Sequence, residues 1–144
     1  MIYILTDSNL TEKSIKIFNI IKLRHNNCDI KLVLIDESLF DAATAVSGCG
    51  PAFCYMFIEA LANGGIEAGL PKDKALKLAA QTVLGAGKMV RDSGVDPTTL
   101  RENVCSKGGS TIEGVKSLFE SDLDSTVKKA VNASYNRTKE LGKK

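Results

Sequence analysis

One helix carries apolar residues around most of its circumference, and that constrains the fold more than any other feature. The stretch "KDKALKLAAQTVLGAGKMVRDSG" (72–94) lies between Pro71 and Gly94. Its Leu76, Leu78, Val83, Leu84, Met89 and Val90 point around most of the circumference. Ala79, Ala80, Gly85, Ala86 and Gly87 keep it thin. A helix apolar all round must be enclosed, and small residues let other helices approach closely. A chain of 144 residues has few other elements to do the enclosing. A partner subunit is therefore the expected cover, with a purely intramolecular core as the alternative.

The neighbouring segments are helical and well punctuated. "DESLFDAATAVSG" (36–48) opens with acids suited to a helix N-terminus and stops at Gly48. "GCG" then reads as a breaker, and Pro51 as the first residue of a helix carrying Phe53, Met56, Phe57, Ala60, Leu61, Gly64 and Ala68. That helix ends near Gly69, and Pro71 starts the next in the same way. Asp96 caps a short helix with Pro97 at its first position, and two further helices are expected at about 111–120 and 124–141. Residues 1–31 form a separate leader. "MIYIL" has the makings of a strand, "TEKSIKIFNIIKL" of a helix capped by Thr11 with Ile15 and Phe18 on one face, and "RHNNCD" of a loop. "KLVLI" (31–35) has strand composition. The expected fold is all-α over 32–144, behind a short irregular or α/β leader.

Charge and cysteine content exclude several functions. The net charge is only +2 and basic residues are scattered among acids, so neither nucleic acid nor an anionic membrane is an expected partner. No apolar run approaches the roughly 20 residues that span a bilayer, and "MIYIL" is too short for a signal sequence. Cys28, Cys49, Cys54 and Cys105 lack CxxC spacing and His25 stands alone in a polar run. Reduced cysteines, no metal and a cytoplasmic setting are expected.

Two stretches could carry chemistry. In "SKGGSTIEG" (106–114), Ser110 and Glu113 match an S/T-x-x-E capping box. Capping leaves Gly108, Gly109 and Thr111 unaccounted for. Consecutive glycines ahead of a helix start let backbone N–H groups converge on a carboxylate or phosphate, with the Thr111 hydroxyl free to donate. Both readings stay open on spacing alone. In "TAVSGCGPAF" (44–53), a helix–turn–helix corner competes with a tight turn that brings Thr44, Ser47 and exposed amides to a ligand. "GAGKMV" (85–90) lacks the spacing of a phosphate loop. No His–Cys pair, nucleophile elbow or G-x-G-x-x-G fingerprint is present.

Taken in order, "DAATAVSGCGPAF", "FIEALANGGIEAGLPKDKALKLAAQTVLGAGKMV" and "NVCSKGGSTIEGV" closely resemble the C-terminal domain of pyrroline-5-carboxylate reductase, over about residues 32–142. The resemblance implies a cytosolic oligomer whose helical domains intertwine into a dimer, often assembled further. It implies reduction of 1-pyrroline-5-carboxylate to L-proline with NAD(P)H, the cofactor lying in a separate N-terminal Rossmann domain. It also implies that Val104, Cys105, Ser106, Lys107, Gly108, Gly109, Ser110 and Thr111 bind the carboxylate of the cyclic substrate, with Thr44 close by. No residue is implied as the catalytic acid. This chain departs from the pattern in three places. Cys49 stands at the second serine of S-G-S-G-P-A, Lys107 stands where proline is common, and the leader lacks the Rossmann glycine-rich loop. By itself the chain is thus expected to bind no cofactor, and its partners to be a second copy or a Rossmann-domain chain. A non-catalytic module that pairs with full-length reductase is the alternative.

Overall fold

A computed structural model of the chain describes residues 2–6 and 31–143. The expected leader helix, its Thr11 cap, the following loop, His25 and Cys28 lie outside the described residues. Strands β1 (Ile2–Thr6) and β2 (Lys31–Ile35) pair in parallel, Ile2 opposite Lys31 and Thr6 opposite Ile35. Both short apolar stretches at the front are therefore strands. All the remaining described elements are helical.

The chain divides into two compact units, residues 1–51 with 128–144, and residues 52–127. In the first, Asp36 accepts the Ser38 N–H at 2.8 Å and so caps a 3₁₀ turn, Glu37–Leu39. This leads into α1 (Phe40–Ala43) and then a π-turn over Thr44–Gly48, in which the Cys49 N–H donates to the Thr44 carbonyl at 3.1 Å. The expected corner is absent. Helical backbone continues through Gly48 and Cys49 into α2 (Gly50–Glu67). Pro51 is the cause: it has no N–H to give the Ser47 carbonyl, and its ring crowds that oxygen. Widening the helix by one residue accommodates both effects. The Ser47 hydroxyl meanwhile donates to the Ala43 carbonyl at 2.9 Å.

The second unit is built on a helical hairpin. The first helix, α2, stops in a Schellman turn. Gly69 has a left-handed φ of 101°, its N–H donates to Ile66, and the Leu70 N–H reaches back to Gly65. A Cβ at Gly65 would stand 3.1 Å from the Leu70 side chain, a close approach that glycine avoids. Pro71 then serves as N-cap of α3 (Lys72–Ser93) and not as its first residue. The hairpin closes on Ala62, Ala75 and Ala79, with Ile58 and Ile66 partly buried beside them. After Gly94, also left-handed, Asp96 accepts the N–H groups of Thr98 and Thr99 at 3.1 and 3.0 Å and starts α4 (Pro97–Asn103). Helices α5 (Ser110–Glu120) and α6 (Leu123–Leu141) follow where expected.

Burial is unusual. Among the described residues the buried apolar ones are four alanines, and no large side chain is fully buried. Leu76, Leu78, Met89 and Val90 of α3 are exposed, and Leu84 is 65% exposed. The helix expected to need a cover has none within this chain. One expectation is overturned. Residues Glu37–Glu67 form a helical run of 31 residues with a mean hydropathy of 1.3 over its most apolar window, long and apolar enough to cross a bilayer. The sequence hid this because Thr44, Ser47, Gly48 and Gly50 interrupt the apolar residues without interrupting the helix.

Candidate functional site

The stretch 104–111 joins α4 to α5 within the second unit. It is built from two hydrogen-bonded turns. Val104 ends α4 in helical conformation, its N–H donating to Arg101, and the Cys105 N–H donates to the Glu102 carbonyl at 3.0 Å. The chain then makes a second turn, Ser106–Lys107–Gly108–Gly109, closed by the Gly109 N–H donating to the Ser106 carbonyl at 3.0 Å. Gly108, at its third position, has φ +72°, and Lys107 does not share the left-handed region. That combination is a type II turn, whose third position calls for glycine and whose second suits proline. The turn thus accepts Lys107 at a position that proline would equally suit.

Gly109 leaves the turn extended, with φ −79° and ψ 164°, and is the N-cap of α5 without any side-chain cap. The capping box is not formed. Helical backbone begins at Ser110, one residue earlier than a Ser110 cap requires, so Ser110 is the first helical residue. Glu113 instead pairs with Lys116 at 2.7 Å. The consequence for the amides is direct. A helix leaves its first N–H groups without intrahelical partners. Among the described residues, nothing accepts from the N–H groups of Ser110, Thr111 or Ile112, nor from that of Gly108. Of the amides at 108–111, only that of Gly109 has an acceptor among the described residues.

Close approach shapes this loop. A Cβ at Gly109 would run into the Ser106 hydroxyl and come within 3.2 Å of the Ser106 carbonyl. Ser106 therefore occupies the space a side chain at 109 would need, a tightness that spacing alone did not reveal. Ser106, Lys107, Gly108, Ser110 and Thr111 are exposed, and Cys105 and Gly109 half-buried. Such a loop can hold a small anion by amide dipoles at a helix start, with the Ser110 and Thr111 hydroxyls as further donors. Val104 is exposed at its edge.

The other candidate, Thr44, belongs to the first unit, at the start of the π-turn, where its carbonyl accepts the Cys49 N–H. It is half-buried, and its methyl group lies 3.3 Å from where a Cβ on Gly48 would sit. The signal for this π-turn was Pro51, four residues after Ser47. Cys49, Cys54 and Cys105 are free thiols. Among the described residues no three His, Cys, Asp or Glu side chains gather to hold a metal.

The dinucleotide expected of the family's other domain can be tested against this chain. A nucleotide fold needs glycines in the turn after its first strand, so that the backbone can approach the pyrophosphate. No glycine precedes Gly48 in this sequence, so that turn is not among these residues.

Comparison with known proteins places these elements. Residues 37–141 match the pyrroline-5-carboxylate reductase dimerisation family. Pyrroline-5-carboxylate reductase of Arabidopsis thaliana is 49% identical over 111 residues, covering 77% of this chain and 40% of the relative. Human pyrroline-5-carboxylate reductase 2 is 47% identical over 107 residues, covering 74% and 33%. The crystal structure of Plasmodium falciparum pyrroline carboxylate reductase with NADP bound superposes with a TM-score of 0.81 at 36% identity, over 98% of this chain and 56% of that one. The Coxiella burnetii enzyme gives 0.78 at 32% identity, over 97% and 51%. The chain thus spans about two fifths of the length of the curated relatives it matches. From the exposed apolar helices to the register of the glycine-rich loop, the chain belongs to the pyrroline-5-carboxylate reductase dimerisation family.

Proposed function

We propose that this chain is the substrate-carboxylate-binding and dimerisation part of a pyrroline-5-carboxylate reductase. Residues 104–111 hold the carboxylate of a small cyclic amino or imino acid, 1-pyrroline-5-carboxylate or L-proline. One observation carries this: the N–H groups of Gly108, Ser110, Thr111 and Ile112 have no acceptor among the described residues, at the start of an 11-residue helix. Amides and the Thr111 hydroxyl neutralise a carboxylate without an arginine. No step of hydride transfer is assigned to residues of this chain, and a nicotinamide is held by another domain or a Rossmann-domain chain. The working form is a dimer or higher oligomer in the cytoplasm. Protein, and not lipid, covers the apolar run Glu37–Glu67 and the open faces of α3, in keeping with a dimerisation family.

Calorimetry with L-proline tests the cradle. Thr111→Val removes a hydroxyl donated to a charged acceptor, a bond worth about 1.5–3 kcal/mol, so affinity falls roughly 10- to 100-fold. Unchanged affinity in a protein that binds proline removes Thr111 from the site. The open apolar faces of α3 equally suit a second reading, a non-catalytic module pairing with full-length reductase. Proline binding without NADPH binding fits both readings. Turnover restored by adding a cofactor-domain chain selects the first.

A further inference from the structure

The amides at 108–112 can converge on one carboxylate only if the two helices that carry the loop stay in place, and local structure alone does not keep them there. Helix α4 has seven residues, too few to be stable by itself in water. Gly109, the N-cap of α5, brings no side-chain cap. Neither helix has a buried residue. The turns at 101–105 and 106–109 each join neighbours in sequence, and neither ties α4 to α5. A side-chain contact does reach across. The Arg101 guanidinium, in the last turn of α4, stands 5.1 Å from the centre of the Phe119 ring, in the last turn of α5. The same two side chains line one groove with Val115 and Leu118 of α5, so the methylene stem of Arg101 has apolar surface to lie along. Among the described residues no carboxylate forms an ion pair with Arg101. The ring face is therefore the partner of its charge.

Resting on the carboxylate cradle proposed above, we infer that Arg101 is a positioning residue for it. Clamped over Phe119, it fixes the end of α4 against α5 and so sets how the open amides of 108 and 110–112 face the ligand. The place of each partner suits this role. The Arg101 carbonyl accepts the Val104 N–H at 3.3 Å, so a shift of Arg101 passes directly to the first residue of the loop. Phe119 and Ser110 sit at opposite ends of one unbroken helix, so holding the ring steadies the same rod whose near end carries the amides. Arginine suits the task because its planar guanidinium stacks on a ring face. Without the clamp the cradle spends a smaller fraction of its time in the arrangement that binds, and apparent affinity falls by that fraction. Phe119 is 61% exposed, and an exposed cation–π contact shifts such an equilibrium roughly two- to fivefold.

The test is L-proline affinity by calorimetry on the full chain, at a concentration where sedimentation gives every variant the same assembly. Arg101→Met keeps the stem and removes the charge, and Phe119→Leu keeps apolar bulk and removes the ring face. Each is expected to weaken proline binding roughly two- to fivefold. The double variant is expected to bind no more weakly than either alone, because the two side chains act through one contact. Arg101→Lys keeps a cation and Phe119→Tyr keeps a ring, so both are expected to bind as the parent does, a rescue that a merely structural role would not produce. Unchanged affinity in Arg101→Met and Phe119→Leu, in a chain that binds proline, overturns the clamp and leaves the cradle standing. Losses that add in the double variant, or that persist in Arg101→Lys and Phe119→Tyr, overturn the clamp as well. A parent chain that binds no proline overturns the cradle, and the positioning role with it.

Discussion

The loop before α5 is sensitive to a single methyl group, and the structure says how sensitive. Alanine at position 109 meets no backbone objection, because φ −79° and ψ 164° suit any residue. Its Cβ, however, overlaps the Ser106 hydroxyl and comes within 3.2 Å of the Ser106 carbonyl. The hydroxyl can turn aside only by leaving its present rotamer, at a cost of its own. The carbonyl cannot retreat without releasing the Gly109 N–H bonded to it at 3.0 Å. Overpacking of this kind costs about 1–3 kcal/mol, and the smaller freedom of alanine in the unfolded chain returns about 0.4–1 kcal/mol. Gly109→Ala should therefore destabilise by about 1–2 kcal/mol. Ser106→Ala alone removes an exposed hydroxyl without a protein partner among the described residues and should stay within about 0.5 kcal/mol. Combined, the two changes leave only the carbonyl approach, so the double variant should recover about 1 kcal/mol over Gly109→Ala, a coupling of ordinary size for residues in contact. Urea unfolding of the four proteins at one fixed concentration measures this cycle. If the double variant is no more stable than Gly109→Ala, Ser106 does not fill the space above residue 109 and the account of the loop is wrong.

Two further outcomes follow from the helices. Leu84 is 65% exposed, and fully burying a leucine is worth about 1.5–3 kcal/mol, so the second copy gains about 1–2 kcal/mol at each Leu84. Leu84→Asp forfeits about 2–4 kcal/mol per pair and weakens the dimer roughly 30- to 700-fold by sedimentation equilibrium; an unchanged dissociation constant removes α3 from the interface. The Asp96 carboxyl lies below its ordinary value of 3.8, chiefly because the Thr99 N–H donates to it, with the Thr98 N–H and the Thr99 hydroxyl adding to the effect. A lowered folded-state pKa stabilises above the unfolded value and is lost as pH falls through the folded one. Asp96→Asn, which keeps the cap, should flatten the fall in melting temperature below about pH 4. An identical acid limb in both proteins refutes that.

Helix ends were legible wherever the sequence supplied a residue with only one use. Gly69 and Gly94 take the left-handed positions that end α2 and α3, and Asp96 with Pro97 starts α4, so these boundaries followed from residue type. Errors arose where one residue had two uses. Pro51 after glycine suits a helix start, yet it equally suits a π-turn inside a continuing helix, and only the neighbouring backbone decides. Ser110 with Glu113 fits a capping box, but the type II turn at 106–109 delivers the chain extended at Gly109, so the cap falls one residue early. The glycine-rich loop stood out as a candidate anion site from its residue types. The unengaged amides at Gly108, Ser110 and Thr111 depend on that turn, and the overlap with Ser106 depends on a side-chain position that no local pattern encodes. Apolar residues all round 72–92 announced the need for a cover, and their exposure here is that need left unmet by one chain.

The seam between α2 and α3 inverts the usual relation between size and depth: its innermost side chains are the smallest ones that carry a β-carbon. Alanine has no side-chain torsion with which to readjust, so these two helices can answer a disturbance only by shifting their main chains. Enlarging residue 62, 75 or 79 would thus be felt undiminished at the exposed tips of Leu76 and Leu78, which flank the seam on α3. Those tips carry whatever meets the outside of the hairpin. Small changes deep in the seam should accordingly alter assembly more than they alter the hairpin itself.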